Sequence, residues 1–199
     1  ATGDTIKNDW VFKHLRGKKG TKVEVSVIRG NNKKPIVFKI TRDKIPLNSI
    51  DTWFMIDKEI GYIKLDRFAQ QSNDELVNAL NELKKEGMID LILDLRSNGG
   101  GYLKTAFEIC DQFLSGNKLI VYTQGLKSAR EELKAEKRGI FETGRLVIMV
   151  DEFSASASEI LSGAVQDWDR GVIVGRRTFG KGLVQRPFDL YDKSQIRLT

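Results

Sequence analysis

Three serines lie at one junction between a predicted strand and a predicted helix. Ser154, Ser156 and Ser158 follow the apolar run 146–150, and an apolar helical pattern begins directly after them. A hydroxyl at such a junction can project above the end of a sheet, where the free N–H groups of a helix start can stabilise an oxyanion. Serines at this position also act simply as helix caps. The serine pattern alone therefore leaves both roles open.

A lysine that can act as a base follows the next predicted strand. Lys181 lies between two glycines, which leave its side chain little covered and let another backbone approach closely. A lysine amine is a general base only when neutral, and an apolar pocket favours the neutral form. We expect Phe179 and Val184 to supply such surroundings and Gln185 to orient the amine without adding a charge. The alternative is an exposed lysine in a turn.

Residues needed for other kinds of hydrolytic site are scarce. His14 is the single histidine and lies far along the chain from the serines, which argues against a Ser-His-Asp triad. The single cysteine, Cys110, falls in an apolar helical pattern and is interpreted as a core residue. With one His and one Cys we expect no metal site. The Gly-rich stretch 97–101 has neither the Lys-Ser/Thr pair of a Walker loop nor G-x-G-x-x-G spacing, so no nucleotide cofactor is expected.

Alternating strands and helices must position these groups. The apolar patterns predict strands at 61–65, 89–95, 119–122, 146–150 and 171–174, with helices at 72–87, 103–114 and 156–168. Ser72 and Glu75 predict a capping box for the first of these helices, and the charged stretch 127–138 is predicted to be an exposed helix. This order is typical of an α/β layer with largely parallel strands. The near-continuous apolar run 89–95 predicts a sheet covered on both faces.

The first 42 residues predict a separate small unit. A helix at 8–15 is followed by strands at 22–29 and 35–40 around a turn at 30–34, and residues 42–57 form a connector. A helix and a hairpin of this length bury little by themselves.

The overall composition is that of an ordinary globular chain. Its 199 residues are 40% hydrophobic and carry a net charge of +6. Basic clusters of this kind can bind nucleic acid, but no nucleic-acid motif accompanies them, so a solvated surface is favoured and no nucleic-acid partner is expected. No apolar run approaches the ~18 residues of a membrane span, and no signal peptide opens the chain.

Motifs between residues 153 and 185 resemble the tail-specific, or C-terminal processing, serine proteases. The matching residues, in family order, are Phe153-Ser-Ala-Ser-Ala-Ser-Glu-Ile160, Ala164-Val-Gln-Asp167, Gly175, Thr178-Phe-Gly-Lys-Gly182 and Val184-Gln185. Upstream, Leu93-Asp-Leu-Arg-Ser-Asn-Gly-Gly-Gly101 resembles the family's Asp-Leu-Arg-x-Asn-x-Gly-Gly motif, and Arg96 and Asn98 are expected to brace that loop. Gly61–Leu65 resembles the strand that opens the protease core.

The resemblance assigns roles to particular residues. It implies Ser156 as nucleophile, Lys181 as general base and Gln185 as its supporting residue, with Asp167 as a further supporting residue. It also implies an oxyanion hole formed by the N–H of Ala157 and an N–H of either Gly100 or Gly101. Only glycine lets backbone approach a substrate carbonyl so closely. Neither a metal nor an organic cofactor is implied.

The same resemblance predicts the domain organisation. It implies an α/β fold with a crotonase/ClpP-like layered protease core at residues 43–199, preceded by the C-terminal part of a PDZ-like domain at residues 1–42. A whole PDZ domain needs about twice that length. The chain ends in a predicted strand where relatives continue, so it is expected to be an internal segment whose substrate-recognition parts are incomplete.

The implied function is endopeptidase cleavage of proteins near unstructured C-terminal tails. The expected partners are protein or peptide substrates with exposed tails. By resemblance the location is the bacterial periplasm or cell envelope, or the chloroplast lumen, and a homo-oligomer is left open. One alternative is a non-catalytic peptide-binding scaffold on the same fold. Another is a crotonase-like acyl-CoA enzyme, which gives no account of a Ser–Lys pair.

Overall fold

The computed structural model describes residues 7–30, 34–44 and 47–199. The chain forms two compact units, residues 1–47 and 48–199. The boundary predicted at residue 42 falls inside the first unit, shortly before the division after residue 47. Among the described residues, no helix combines the length and the apolar character needed to cross a bilayer.

The first unit is a helix and a two-stranded antiparallel hairpin. Helix α1 spans Asn8–Leu15, and strands β1, Lys22–Val27, and β2, Ile36–Thr41, pair in register. The half-buried residues of β1 alternate along the strand as its sequence predicts. Arg42 donates to the carbonyl oxygens of Leu15 (2.7 Å) and Lys22 (3.1 Å). Three positions of the predicted turn, 31–33, lie outside the described residues.

A five-stranded mixed sheet organises the second unit. Its order is β3-β4-β5-β8-β9, in which β3 is antiparallel to β4 and the other neighbouring strands are parallel. The strands are β3 Thr52–Met55, β4 Ile60–Lys64, β5 Asp90–Asp94, β8 Leu146–Val150 and β9 Val172–Gly175. The predicted α/β class with largely parallel strands is confirmed. Strand β3 was not predicted and lies in the segment interpreted as a connector.

Three helices cover one face of this sheet. They are α2, Ser72–Lys85, α3, Leu103–Cys110, and α4, Ala157–Asp167. Because spatial order follows chain order among the parallel strands, right-handed crossovers carry all three helices to the same side. Alternate residues of each central strand are buried beneath them, including Ile63, Leu93 and Ile148, all 0% exposed. The opposite face presents half-buried Tyr62, Ile92, Val147 and Met149, so the predicted cover on both faces is not seen within the described residues.

The charged stretch 127–138 is not a helix. Strand β7, Glu131–Lys134, lies within it and pairs antiparallel with β6, Leu119–Thr123. Burial increases along this segment, from exposed Glu131 through half-buried Leu133 to Ala135, which is 4% exposed. A further hairpin joins β10, Arg186–Asp189, to β11, Gln195–Leu198.

The predicted capping box of α2 is also wrong. The Ser72 hydroxyl accepts the N–H of Ala69 (2.8 Å) and donates to Ser49 Oγ (2.6 Å). The Glu75 carboxylate accepts the N–H groups of Ser49 (2.7 Å) and Ile50 (3.0 Å). Both side chains therefore hold the segment before β3 against the helix start. Tertiary contacts use the polar groups that the local sequence pattern assigned to a cap.

Candidate active site

Ser156 occupies a strained position between β8 and α4. It directly precedes α4, and its backbone has φ 57° and ψ −111°. A positive φ is costly for a residue with a side chain, and such strain persists where the surrounding structure enforces it, often at functional sites. Its N–H donates to Glu159 Oε2 (2.8 Å), and the Glu159 N–H donates to its carbonyl oxygen (2.9 Å). The turn therefore fixes where the hydroxyl points.

The two neighbouring serines have structural roles. Ser154 Oγ donates to the carbonyl oxygen of Leu95 (2.8 Å) and accepts the N–H of Asp151 (2.9 Å). Ser158 Oγ donates to the carbonyl oxygen of Asn98 (2.8 Å). Both serines are 0% exposed, whereas Ser156 is half-buried and lines a cavity. Ser154 and Ser158 therefore brace neighbouring loops, whereas Ser156 is the N-cap residue of α4 and also faces the cavity.

The last two glycines of the Gly-rich loop differ in whether their N–H groups are hydrogen-bonded. The N–H of Gly100 donates to Asn98 Oδ1 (2.9 Å) and is therefore engaged. Within the described part of the chain, the N–H groups of Gly101 and Ala157 have no hydrogen-bond acceptor, and both residues line the cavity beside Ser156. A pair of free N–H groups next to a hydroxyl has the donor arrangement of an oxyanion hole. The geometry favours Gly101 over Gly100 for the second donor.

Asn98 ties the glycine loop to the sheet and to the serine segment. It is 0% exposed, and its amide donates to the carbonyl oxygen of Leu65 (2.8 Å) while its side-chain oxygen holds Gly100. Its own carbonyl oxygen accepts the N–H of Ala155 (3.1 Å) and the Ser158 hydroxyl. The predicted bracing role of Asn98 is confirmed by these bonds.

Two buried carboxylates brace the same loop. Asp151 accepts the N–H groups of Ser97 (2.9 Å) and Phe153 (3.0 Å), so one side chain links the glycine loop to the serine segment. Burial raises the pKa of Asp151, but these donors outweigh it and hold the pKa below its ordinary value. Asp94 pairs with the Arg96 guanidinium (2.7 Å). Arg96 therefore braces the loop where it leaves β5, as predicted.

An alanine at position 100 is expected to damage the site more than the fold. A Cβ there would lie 2.7 Å from the carbonyl oxygen of Ala155 and 2.9 Å from the N of Ala157, at φ +97°. Displacing the Ser156 turn by ~1 Å costs on the order of 10²-fold in rate. We expect Gly100→Ala to lower kcat/KM for a tail peptide by about 10²-fold. Urea unfolding of the same variant measures the accompanying change in stability.

The matched control for that change is Gly116→Ala. Gly116 also has a positive φ, +72°, but a Cβ there meets nothing within 4 Å. It carries similar backbone strain, about 1–3 kcal/mol, without touching the site. The control should be destabilised with kcat/KM within about twofold of wild type. Equal losses of activity in the two variants would contradict the steric argument.

Glu159 joins the segment of the serine to the segment of the lysine. Its Oε1 accepts the hydroxyl of Thr178 (2.9 Å) and the N–H of Gly180 (2.6 Å). Its Oε2 accepts the N–H groups of Ser156 (2.8 Å) and Lys181 (2.9 Å). Burial opposes the charge, but the donors outweigh it, so the pKa of Glu159 lies below its ordinary value. Sequence analysis missed this role, although the Ser-x-x-Glu spacing of a capping box signals it.

A cavity of about 580 Å³ brings the predicted reactive groups together. Lys181 and Gln185 line it with Ser156, Ala157 and Gly101. Among the described residues, no hydrogen bond joins the Ser156 hydroxyl to the Lys181 amine. Asp167 is the exposed last residue of α4, ~16 Å along the helix from Ser156 at 1.5 Å per residue. It does not line the cavity, and its supporting role stays a prediction.

The apolar part of the cavity wall differs from the predicted one. Val184 lines the cavity as expected, but Phe179 is 67% exposed and does not. The other aliphatic lining residues come from α3, β6, α4, the segment around Lys181 and β10: Leu103, Val121, Ile160, Leu183 and Pro187. Strand β6, whose partner was predicted to be a helix, thus supplies part of the wall. No group of three or more His, Cys, Asp or Glu residues in the described ranges could hold a metal ion.

Comparison with known proteins places this core in a family. The model of peptidase family S41 matches residues 59–199. This range includes the Gly-rich loop, the Ser156 turn and the segment around Lys181. The chain belongs to peptidase family S41. This confirms the predicted resemblance to the C-terminal processing proteases.

Individual relatives agree with the family assignment. Carboxyl-terminal-processing proteases of a Picosynechococcus and a Synechocystis species are 38% and 37% identical over 93% and 98% of this chain. The chain spans 45% and 46% of those proteins. The solved photosystem II D1 C-terminal processing protease superposes with a TM-score of 0.69 at 30% identity, covering 92% of this chain and 50% of the other. The mixed α/β sheet is therefore that of an S41 protease.

Proposed function

We propose that this chain carries the catalytic centre of a serine endopeptidase that cleaves proteins near unstructured C-terminal tails. The observation that carries the proposal is the shared cavity of Ser156, Ala157, Gly101, Lys181 and Gln185. The C-terminal processing activity of the relatives supports the choice of substrate. A periplasmic or envelope location and a PDZ-like origin for the first unit belong to the same proposal.

The chemistry assigns one step to each group. The Lys181 amine takes the proton of Ser156 Oγ as the oxygen attacks the scissile carbonyl, and the Ala157 and Gly101 N–H groups stabilise the oxyanion. The protonated amine then gives its proton to the leaving amine, and water hydrolyses the acyl-enzyme in a second round. Transfer requires Lys181 Nζ within hydrogen-bond distance of Ser156 Oγ. Such bonds commonly tighten only when substrate binds. Gln185, which lines the same cavity, is assigned the role of orienting the amine.

A serine-reactive phosphonate tests whether the centre is catalytic. We expect the probe to label Ser156 and no other serine, because Ser154 and Ser158 are buried and hydrogen-bonded. Peptide mapping by mass spectrometry locates the adduct. Ser156→Ala should abolish it, and Ser194→Ala, a change at an exposed serine in the β10–β11 turn, should not. Absence of labelling at Ser156, with a tail peptide bound but uncleaved, would favour the non-catalytic scaffold.

A further inference from the structure

The cavity beside Ser156 has an uneven charge. Lys181 and Arg197 are the cations among the described lining residues, none of which is an aspartate or glutamate. If Lys181 is the general base, it is neutral at the start of the reaction. Arg197 is then the one fixed charge of the described lining, because a guanidinium stays protonated at any working pH.

The backbone of Arg197 is fixed by strand pairing, while its exposed side chain has no partner among the described residues. It lies on β11, opposite Pro187 of β10, which also lines the cavity. The nearest carboxylate along the hairpin, Asp189, accepts a hydrogen bond from Gln195 (2.8 Å). By contrast, Arg176, which follows β9, is paired with Glu152 (2.6 Å). Within the described residues, no ion pair or side-chain hydrogen bond uses Arg197.

We infer that Arg197 is a specificity-determining residue that binds a carboxylate of the substrate tail while an apolar side chain occupies the adjoining wall. The inference rests on the proposed function, since it names the kind of tail that the centre accepts. A guanidinium offers paired N–H donors that match a carboxylate, and Leu183 and Val184 line the same cavity as apolar contacts for a neighbouring side chain. The carboxylate belongs either to an acidic side chain or to the chain terminus.

Four peptides of one apolar sequence separate these sources. They carry an internal Glu or Gln and a C-terminus that is free or amidated. Dissociation constants are measured by fluorescence anisotropy with the Ser156→Ala chain, and kcat/KM with the wild-type chain. We expect about tenfold tighter binding of the carboxylate form, abolished by Arg197→Gln, reversed in favour of the neutral form by Arg197→Glu and weakened by salt. If binding weakens when Glu is replaced by Gln, Arg197 binds an acidic side chain. If binding weakens on amidation, Arg197 binds the C-terminal carboxylate.

The control is Lys193→Gln, which removes the same charge from the exposed turn of the same hairpin. It should retain the carboxylate preference of wild type. An unchanged preference in Arg197→Gln, an equal loss in Lys193→Gln or no preference in wild type would overturn the inference. Absence of both cleavage and phosphonate labelling would instead contradict the proposed function. The dissociation constants would still test whether Arg197 binds a carboxylate.

Discussion

Replacing Lys181 with alanine is expected to lower kcat/KM for a tail peptide by about 10⁴-fold, because the described cavity lining offers no other base for proton transfer to and from Ser156. The free energy of unfolding should change by less than about 1 kcal/mol. The side chain is only half-buried, and the bond to Glu159 comes from the backbone N–H, which alanine keeps. Peptide hydrolysis and urea unfolding measure the two effects separately.

Removing the serine and the lysine together distinguishes a working pair from two independent contributions. Groups that act as one unit are non-additive, so Ser156→Ala combined with Lys181→Ala should be no less active than either single variant. Lys193→Ala, at an exposed turn, is the charge-matched control and should keep wild-type activity. A loss below tenfold in Lys181→Ala would rule out its role as the base.

Replacing Glu159 with glutamine is expected to lower kcat/KM by about 10²-fold. The carboxylate accepts two donors on each oxygen, whereas an amide turns an NH₂ group toward two of them. Each N–H left unpaired costs about 1–3 kcal/mol. The Ser156 turn and the Lys181 segment then lose their common anchor, and displacement of ~1 Å accounts for the rate loss. Glu159 touches no reacting atom, so it is a positioning residue.

The pH dependence of stability separates this role from a general loss of packing. Since the folded-state pKa of Glu159 is lowered, its contribution is fully present above the unfolded-state pKa of about 4.3 and is lost as the pH falls through the folded-state value. The difference in unfolding free energy between wild type and Glu159→Gln should therefore shrink below about pH 4.

Glu75→Gln is the matched control for Glu159→Gln. Glu75 also anchors two backbone N–H groups, but they belong to Ser49 and Ile50, outside the cavity lining. The control should lose stability while its folded molecules keep wild-type kcat/KM. If Glu75→Gln and Glu159→Gln lost activity equally, the positioning role would be disproved.

Much of the second unit was predictable because its signals are local and periodic. The central strands and α2, α3 and α4 follow apolar patterns that a covered sheet imposes on a sequence. The segment around Leu133 was mispredicted because high charge and a short length leave helix and ribbon nearly equivalent locally. Its strand character depends on pairing with β6, a partner the local pattern does not contain.

The residue types of the candidate site were predictable from the sequence, but the hydrogen bonds that hold them in place were less so. Motif order identified Ser156 and Lys181, and the structure brings them to one cavity. The choice between Gly100 and Gly101 depended on which N–H Asn98 engages, which is a matter of side-chain rotamer and not of spacing. Likewise, three of the four donors of Glu159 come from residues 19 to 22 positions away, so the local Ser-x-x-Glu spacing indicates only the bond to Ser156.

The hydrogen bonds of Asn98 limit how the serine segment could be transferred into another protein. The Asn98 side chain bonds to Leu65, just after β4, and to Gly100 of the glycine loop. The backbone carbonyl oxygen of Asn98 accepts the hydroxyl of Ser158 in α4. Moving Ser-Ala-Ser-Ala-Ser alone into another scaffold would transfer the hydroxyl but none of the bonds that aim it. The smallest unit that can be grafted is therefore a piece of the whole layer, from β4 to the lysine segment.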